Sequence, residues 1–112
     1  MVAELNDTRT AQAIWEALPL KGLVSTWGDE IYFSVPLDLE LDDGRELVDI
    51  GDLGYWPAGN AFCIFFGPTL ASRGDEIRPA SAVTVFGKVI GSADNLKQVT
   101  SGSDIVVETE KT

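Results

Sequence analysis

The stretch GDLGYWPAGNAFCIFFGPT, from Gly51 to Thr69, holds half of the aromatic residues of this 112-residue chain. Its second part, AFCIFF, shows no alternation of apolar and polar side chains, which is typical of a strand covered on both faces. Its first part ends beside a Pro-Ala-Gly turn, where large rings commonly border a surface or a cavity mouth. We therefore predict that residues 61–67 form a core strand. Trp56 is predicted to line a ligand pocket bordered by the loop of residues 67–82.

One amphipathic helix is predicted over residues 8–18, after a short strand in VAEL. Asp7 or Thr8 can cap its first turn, and Pro19 ends it. Apolar residues recur at the i, i+3, i+4, i+7 spacing of one buried face, namely Ala11, Ile14, Trp15 and Leu18. We expect this face to pack on the strands and to cap AFCIFF on its outer side.

Short strands separated by turns account for most of the remaining sequence. LVSTWGDEIYFSV predicts two strands around a Gly28-Asp29 turn, and LDLELDDGRELVDIG predicts a hairpin that turns at Asp43-Gly44. In the first of these, the odd-numbered residues Ile31, Phe33 and Val35 should face the core. AFCIFFG, AVTVFGKVIG and DIVVETE supply three more strands, and GSADNLKQVTSG a connection with one helical turn. This pattern favours a mainly β, antiparallel sandwich or barrel.

Composition excludes several classes of function. A net charge of −10 repels phosphate backbones and anionic surfaces, so neither nucleic acid nor a membrane is an expected partner. The chain has no histidine, the usual general base near neutral pH and the commonest metal ligand. Its one cysteine, Cys63, cannot form an intrachain disulfide and is interpreted as a small buried apolar residue. We therefore predict no cofactor, no metal site and no catalytic residue.

The length fits a single domain over residues 1–112. The start has neither a basic region nor an apolar signal segment, and no apolar run approaches the ~18 residues that cross a bilayer. We expect a cytoplasmic protein. Self-association into a homo-oligomer is left open.

Charged residues add weaker signals. The acidic run DLELDDG lacks the spacing of a calcium loop and is interpreted as a solvated face. Glu30 is kept as a candidate for acid–base work, although a turn acid is typically exposed. Arg78 is the nearest cation available to orient an anionic or carbonyl group, although pairing with Asp75 or Glu76 is the simpler interpretation. The predicted ligand-binding residues are Glu30, Tyr55, Trp56, Phe65, Phe66, Thr69 and Arg78.

Three motifs together resemble the cyclophilin-like domain family of small bacterial and archaeal proteins of unknown function. They are WGDEIYFSVP (27–36), VDIGDLGYWPAGNAFCIFFGPT (48–69) and VTVFGKVIG (83–91). Their order and spacing, together with the preceding helix, cover nearly the whole chain. The resemblance implies a closed antiparallel β-barrel of about eight strands, capped by one or two short helices.

The same resemblance invites comparison with the peptidyl-prolyl isomerases. Catalysis there relies on an arginine in an FHR-like motif, with a glutamine and a histidine around an apolar proline pocket. None of these contexts fits the arginines of this chain, which are Arg9, Arg45, Arg73 and Arg78. The leading interpretation is therefore an uncharacterised barrel that binds a small molecule or short peptide in an aromatic pocket. The alternatives are a weak isomerase and a structural or assembly subunit of a larger enzyme.

Overall fold

The computed structural model describes residues 1–110, in which eight strands and one α-helix surround the core. The strands are β1 (Ala3–Leu5), β2 (Leu20–Leu23), β3 (Ser25–Thr26), β4 (Glu30–Ser34), β5 (Asp52–Trp56), β6 (Ala61–Phe65), β7 (Thr84–Val89) and β8 (Asp104–Val107). The helix α1 (Arg9–Ala17) follows β1, and short 3-10 helices cover Pro57–Gly59 and Asp94–Gln98. In this part of the chain, no helix is long and apolar enough to cross a membrane.

Two antiparallel sheets share the core. The large sheet has the strand order β1-β7-β5-β6-β4-β3, and the small sheet pairs β2 with β8. The chain crosses from the small sheet to the large one at Val24, whose N–H donates to the Ser103 carbonyl at 2.9 Å and whose carbonyl accepts from the Gly102 N–H at 2.8 Å. Immediately after this crossing, β3 pairs with β4.

The prediction of a closed barrel is wrong, because no sheet closes on itself. Within residues 1–110, β1 pairs only with β7 and β8 pairs only with β2, so the hydrogen-bonded ladders end at these strands. The outer strands of the large sheet, β1 and β3, have three and two residues. Very short edge strands offer little template for pairing with another strand, which allows the sheet to stay open. The mainly β, antiparallel character is confirmed.

The predicted hairpin at Asp43-Gly44 is also wrong. Residues 36–51 form no strand of their own, and they are held by two isolated bridges, Arg45 with Val83 and Val48 with Ile77. Both bridges join this segment to later parts of the chain. The two arms of the expected hairpin therefore pair elsewhere rather than with each other.

The main hydrophobic cluster lies on one face of the large sheet. As predicted, Ile31, Phe33 and Val35 are buried there. Phe62 stacks on Phe33 with 5.1 Å between ring centroids, and meets Phe86 edge-on at 5.0 Å. Leu20 of the small sheet and Ile14 of α1 belong to the same cluster.

A second cluster covers the opposite face of β6, so the prediction that AFCIFF is covered on both faces is confirmed. Its buried members are Val48, Ala61, Cys63, Phe65, Ile77 and Val83. The cover comes from the bridged segments around residues 45–48 and 77–83, not from α1 as expected. This second face carries the candidate site.

Helix α1 begins after Thr8, whose hydroxyl accepts a hydrogen bond from the Ala11 N–H at 3.0 Å. Ile14 is buried in the main cluster and Leu18 packs against it, as predicted. Trp15 is 53% exposed, so its predicted burial is wrong. At 3.6 residues per turn, Trp15 lies about 100° around the helix from Ile14. This angle places its ring at the margin of the buried face.

Candidate functional site

A cavity of about 230 Å³ opens on the second face of the large sheet, between the start of β4, the middle of β6 and the loop before β7. We call it the aromatic cavity. Its lining residues are Trp27, Glu30, Tyr32, Trp56, Cys63, Pro79, Ala80 and Val83.

The floor of the aromatic cavity is set by strand register. Tyr32 of β4 lies opposite Cys63 of β6, and Glu30 lies opposite Phe65. Side chains two residues apart in a strand share a face, and directly opposed residues of an antiparallel pair share it too. Glu30, Tyr32 and Cys63 are therefore presented to the same side of the sheet.

A tight turn holds Trp27 and Glu30 at one end of the cavity. The Trp27 N–H donates to the Glu30 carbonyl at 2.9 Å. Between them, the Asp29 N–H donates to the Pro68 carbonyl at 2.9 Å, and the Asp29 carbonyl accepts from the Phe66 N–H at 2.9 Å. The turn is thus docked on the end of β6, which fixes the backbone that carries both lining residues.

Trp56 forms a wall whose orientation is fixed on several sides. Its indole N–H donates to the Ser81 hydroxyl at 2.6 Å. Its ring meets Tyr32 edge-on, with 6.5 Å between centroids and 75° between planes. A Cβ added at Gly59 would lie 2.6 Å from the Trp56 ring, so the 3-10 turn packs directly against the indole. The two rings therefore form a preorganised corner.

The loop that carries Pro79 and Ala80 is tied back by side-chain hydrogen bonds. The Thr69 hydroxyl donates to the Arg78 carbonyl. The Ser72 hydroxyl accepts from the Thr69 N–H at 2.9 Å and from the Arg78 N–H at 3.0 Å. These bonds join the two ends of the loop and hold its apolar residues over the cavity.

Glu30 is the acid of the aromatic cavity, and it is only 6% exposed. Burial disfavours its charged form and raises its pKa to about 7, against an ordinary value of 4.5. The ion pairs found within residues 1–110 are Arg78 with Glu76 at 2.8 Å and Lys97 with Asp94 at 4.0 Å. In this described part of the chain, the Glu30 carboxylate thus has no ion-pair partner.

Cys63 lies beside Glu30 as a neutral thiol. Its sulfur is 3.9 Å from the Ala61 carbonyl oxygen, a weak contact, and the nearby thiol offsets part of the rise in the pKa of Glu30. Burial raises the pKa of the Cys63 thiol well above its ordinary value, and the charge of Glu30 raises it further. A thiolate is the form that attacks electrophiles. The site therefore favours a packed thiol over a nucleophile.

Comparison with known proteins places the chain in a family. A family model described as cyclophilin-like matches residues 1–108. The chain belongs to the cyclophilin-like family. It is also similar to a hypothetical protein of the archaeon Archaeoglobus fulgidus, known from its solution structure, with 43% sequence identity and a TM-score of 0.80 over 95% of this chain and 83% of that chain. None of the curated proteins compared with the chain matches it. The resemblance seen in the sequence motifs is thereby confirmed.

Two of the predicted ligand-binding residues of this cyclophilin-like chain, Glu30 and Trp56, line the aromatic cavity. Tyr55 does not, because it precedes Trp56 in β5 and its ring points to the main cluster. Its hydroxyl donates to the Leu37 carbonyl at 2.7 Å and accepts from the Leu39 N–H at 3.1 Å. Tyr55 therefore anchors the segment after β4.

The other predicted residues are not among those that line the cavity. Phe65 is fully buried in the second cluster and Phe66 is buried in the main one. Thr69 shapes the loop, and the Arg78 guanidinium pairs with Glu76. A ligand contact by any of the four stays a prediction.

Sequence reasoning missed six lining residues, Trp27, Tyr32, Cys63, Pro79, Ala80 and Val83. Two of them carried a usable signal. Trp27 stands beside the Gly28-Asp29 turn just as Trp56 stands beside its own turn, and Tyr32 shares the strand face of Glu30 by alternation. The others depend on pairing between distant segments, which no local pattern specifies.

Proposed function

We propose that this cyclophilin-like protein binds a small molecule, or one side chain of a short peptide, in the aromatic cavity. The observation that carries the proposal is the lining itself, in which three aromatic residues and one buried carboxyl group share a single cavity. Ligand sites are typically concave, mostly apolar and furnished with a few fixed polar groups. The Trp56 ring, which is held by Ser81 and packs against Gly59, and the Glu30 carboxyl, which is carried by a docked turn, fit this description.

The size of the cavity limits what can enter. Sites for drug-sized ligands span roughly 300–1,000 Å³, whereas this one measures about 230 Å³. It suits a head group or a single side chain better than an extended peptide. The proposal is therefore recognition of one compact chemical group.

A peptidyl-prolyl isomerase would need an arginine positioned over the apolar pocket. No arginine is among the lining residues, and Arg78 faces Glu76 instead. No observation on residues 1–110 favours that activity. A role as an assembly subunit or homo-oligomer stays a prediction.

The test is a binding screen with a matched pair of tryptophan variants. The unaltered protein, Trp56→Ala and Trp15→Ala are titrated with cationic, neutral and anionic metabolites and with proline peptides, by ligand-observed NMR. Circular dichroism confirms that each variant is folded. We expect at least one compound to bind the unaltered protein and Trp15→Ala but not Trp56→Ala, because Trp56 lines the cavity and Trp15 does not.

Two results would contradict the proposal. One is that no class of compound binds the unaltered protein at millimolar concentration. The other is that every compound found binds Trp56→Ala with unchanged affinity.

A further inference from the structure

The buried carboxylate of Glu30 is the feature of the aromatic cavity that selects a ligand class. A buried charge is costly unless an opposite charge pairs with it. Within residues 1–110, no lysine or arginine forms an ion pair with Glu30. The opposite charge can instead arrive with a ligand.

The rings beside Glu30 are suited to the same charge. A cation within about 6 Å of an aromatic centroid is attracted by the negative face of the ring. The Tyr32 and Trp56 rings stand at 75° to each other, and Trp27 lines the same space. Several aromatic rings around one cation are how proteins recognise quaternary ammonium groups.

We propose that the aromatic cavity recognises an alkylated ammonium group, with Trp27, Tyr32 and Trp56 around the cation and the Glu30 carboxylate beside it. This inference rests on the proposed function, since it names the ligand class of the same site. The alkyl groups would contact Pro79 and Ala80, the apolar side of the lining.

A metal ion fits this site poorly. Calcium takes six to eight oxygen ligands, and within residues 1–110 no group of three or more Cys, Asp or Glu residues could hold a metal ion. The Cys63 thiol, whose pKa is raised by burial, does not supply a thiolate for a soft metal. An alkylammonium ion is weakly hydrated, so it needs aromatic faces around it rather than a shell of coordinating atoms.

A neutral carbonyl ligand is the competing occupant, because a protonated Glu30 could donate a hydrogen bond to it. The two occupants differ in charge. A cation needs the ionised carboxylate, whereas a carbonyl needs a donor that glutamine also supplies. Glu30→Gln therefore separates them while keeping the shape of the side chain.

The experiment compares choline with 3,3-dimethyl-1-butanol, which has the same shape without the charge. Both are titrated calorimetrically into the full chain at pH 8, where a Glu30 carboxyl with a pKa of about 7 is mostly ionised. We expect choline to bind at least roughly tenfold more tightly than the alcohol. Glu30→Gln should weaken choline binding by roughly tenfold or more and leave the alcohol unchanged.

The matched control is Asp52→Asn, which removes the same charge from a buried acid outside the aromatic cavity. It should leave choline binding as in the unaltered protein. A peptide that carries trimethyl-lysine forms a second arm. Tighter binding of the peptide than of choline identifies a side-chain ligand, and the reverse identifies a free small molecule.

Three results would overturn the inference. They are equal affinities for choline and the alcohol, full choline affinity in Glu30→Gln, and no choline binding at millimolar concentration. None of them alone overturns the proposed function, which fails only if the broader screen finds no ligand that depends on Trp56. The two claims can therefore fail separately.

Discussion

The burial of Glu30 makes the stability of the fold depend on pH in a defined direction. Its pKa is about 7 in the folded protein, against an ordinary value of 4.5. The folded chain therefore holds this proton more tightly than the unfolded chain does. The stabilisation is present in full below pH 4.5 and is lost as the pH rises through about 7.

The magnitude follows from the difference between the two pKa values. One pKa unit corresponds to about 1.4 kcal/mol. The rise from 4.5 to about 7 thus corresponds to about 3 kcal/mol of unfolding free energy. Glu30→Gln keeps the shape of the side chain and has no proton to lose, so it should not show this loss.

Urea unfolding followed by tryptophan fluorescence between pH 4 and pH 8 measures the effect. We expect the stability of Glu30→Gln relative to the unaltered protein to increase by about 3 kcal/mol across this range. The other acids are common to both chains and cancel in the difference. Cys63, which interacts with Glu30, stays protonated throughout because its pKa is raised well above its ordinary value. Two stability curves that run parallel from pH 4 to pH 8 would refute the reasoning.

Three further substitutions test the packing around the site, each by urea unfolding. Phe65→Ala should lower the free energy of unfolding by about 3–5 kcal/mol because the ring is fully buried. Trp15→Ala should lower it by less than about 1 kcal/mol because that ring is largely exposed. Equal losses in the two variants would contradict this difference in burial. Gly28→Ala should lower the free energy of unfolding by about 2 kcal/mol or more, since the residue has φ +63° and an added Cβ would lie 2.9 Å from backbone atoms. An unchanged urea midpoint would contradict the docking of this turn. Gly59→Ala should displace the Trp56 indole and weaken binding of any ligand found in the screen, so unaltered affinity would show that the 3-10 turn does not position this ring.

The regular strands of this fold could be predicted because their patterns are local. Alternation put Ile31 and Phe33 in the core, and the unbroken apolar run of β6 indicated cover on both faces. What covers its second face could not be predicted. That cover is held by single bridges such as Val48 with Ile77, which have no periodicity. The open edge was missed for a similar reason, since closure depends on pairing between strands far apart in sequence.

The candidate site was predicted in part. Trp56 was predicted to line a pocket because a ring beside a turn can face an opening, and it does line the aromatic cavity; the same argument applies to Trp27. Glu30 was kept as a candidate despite its place in a turn, where acids are usually exposed. Its burial results from the register with β6 and from the docked loop, and neither is visible in the residues around it. Tyr55 and Trp56 looked equivalent in sequence, yet they alternate to opposite faces of β5.

The most direct test of the aromatic cavity as a binding site uses the indole N–H signals of the three tryptophans. Trp27 and Trp56 line the cavity, whereas Trp15 lies exposed on α1 and serves as an internal control. Choline and 3,3-dimethyl-1-butanol are titrated into ¹⁵N-labelled protein, with Trp56→Ala and Trp15→Ala used to assign the three signals. We expect the Trp27 and Trp56 signals to move together along one binding curve while the Trp15 signal stays in place. Movement of Trp15 alone, or equal movement of all three signals, would contradict it.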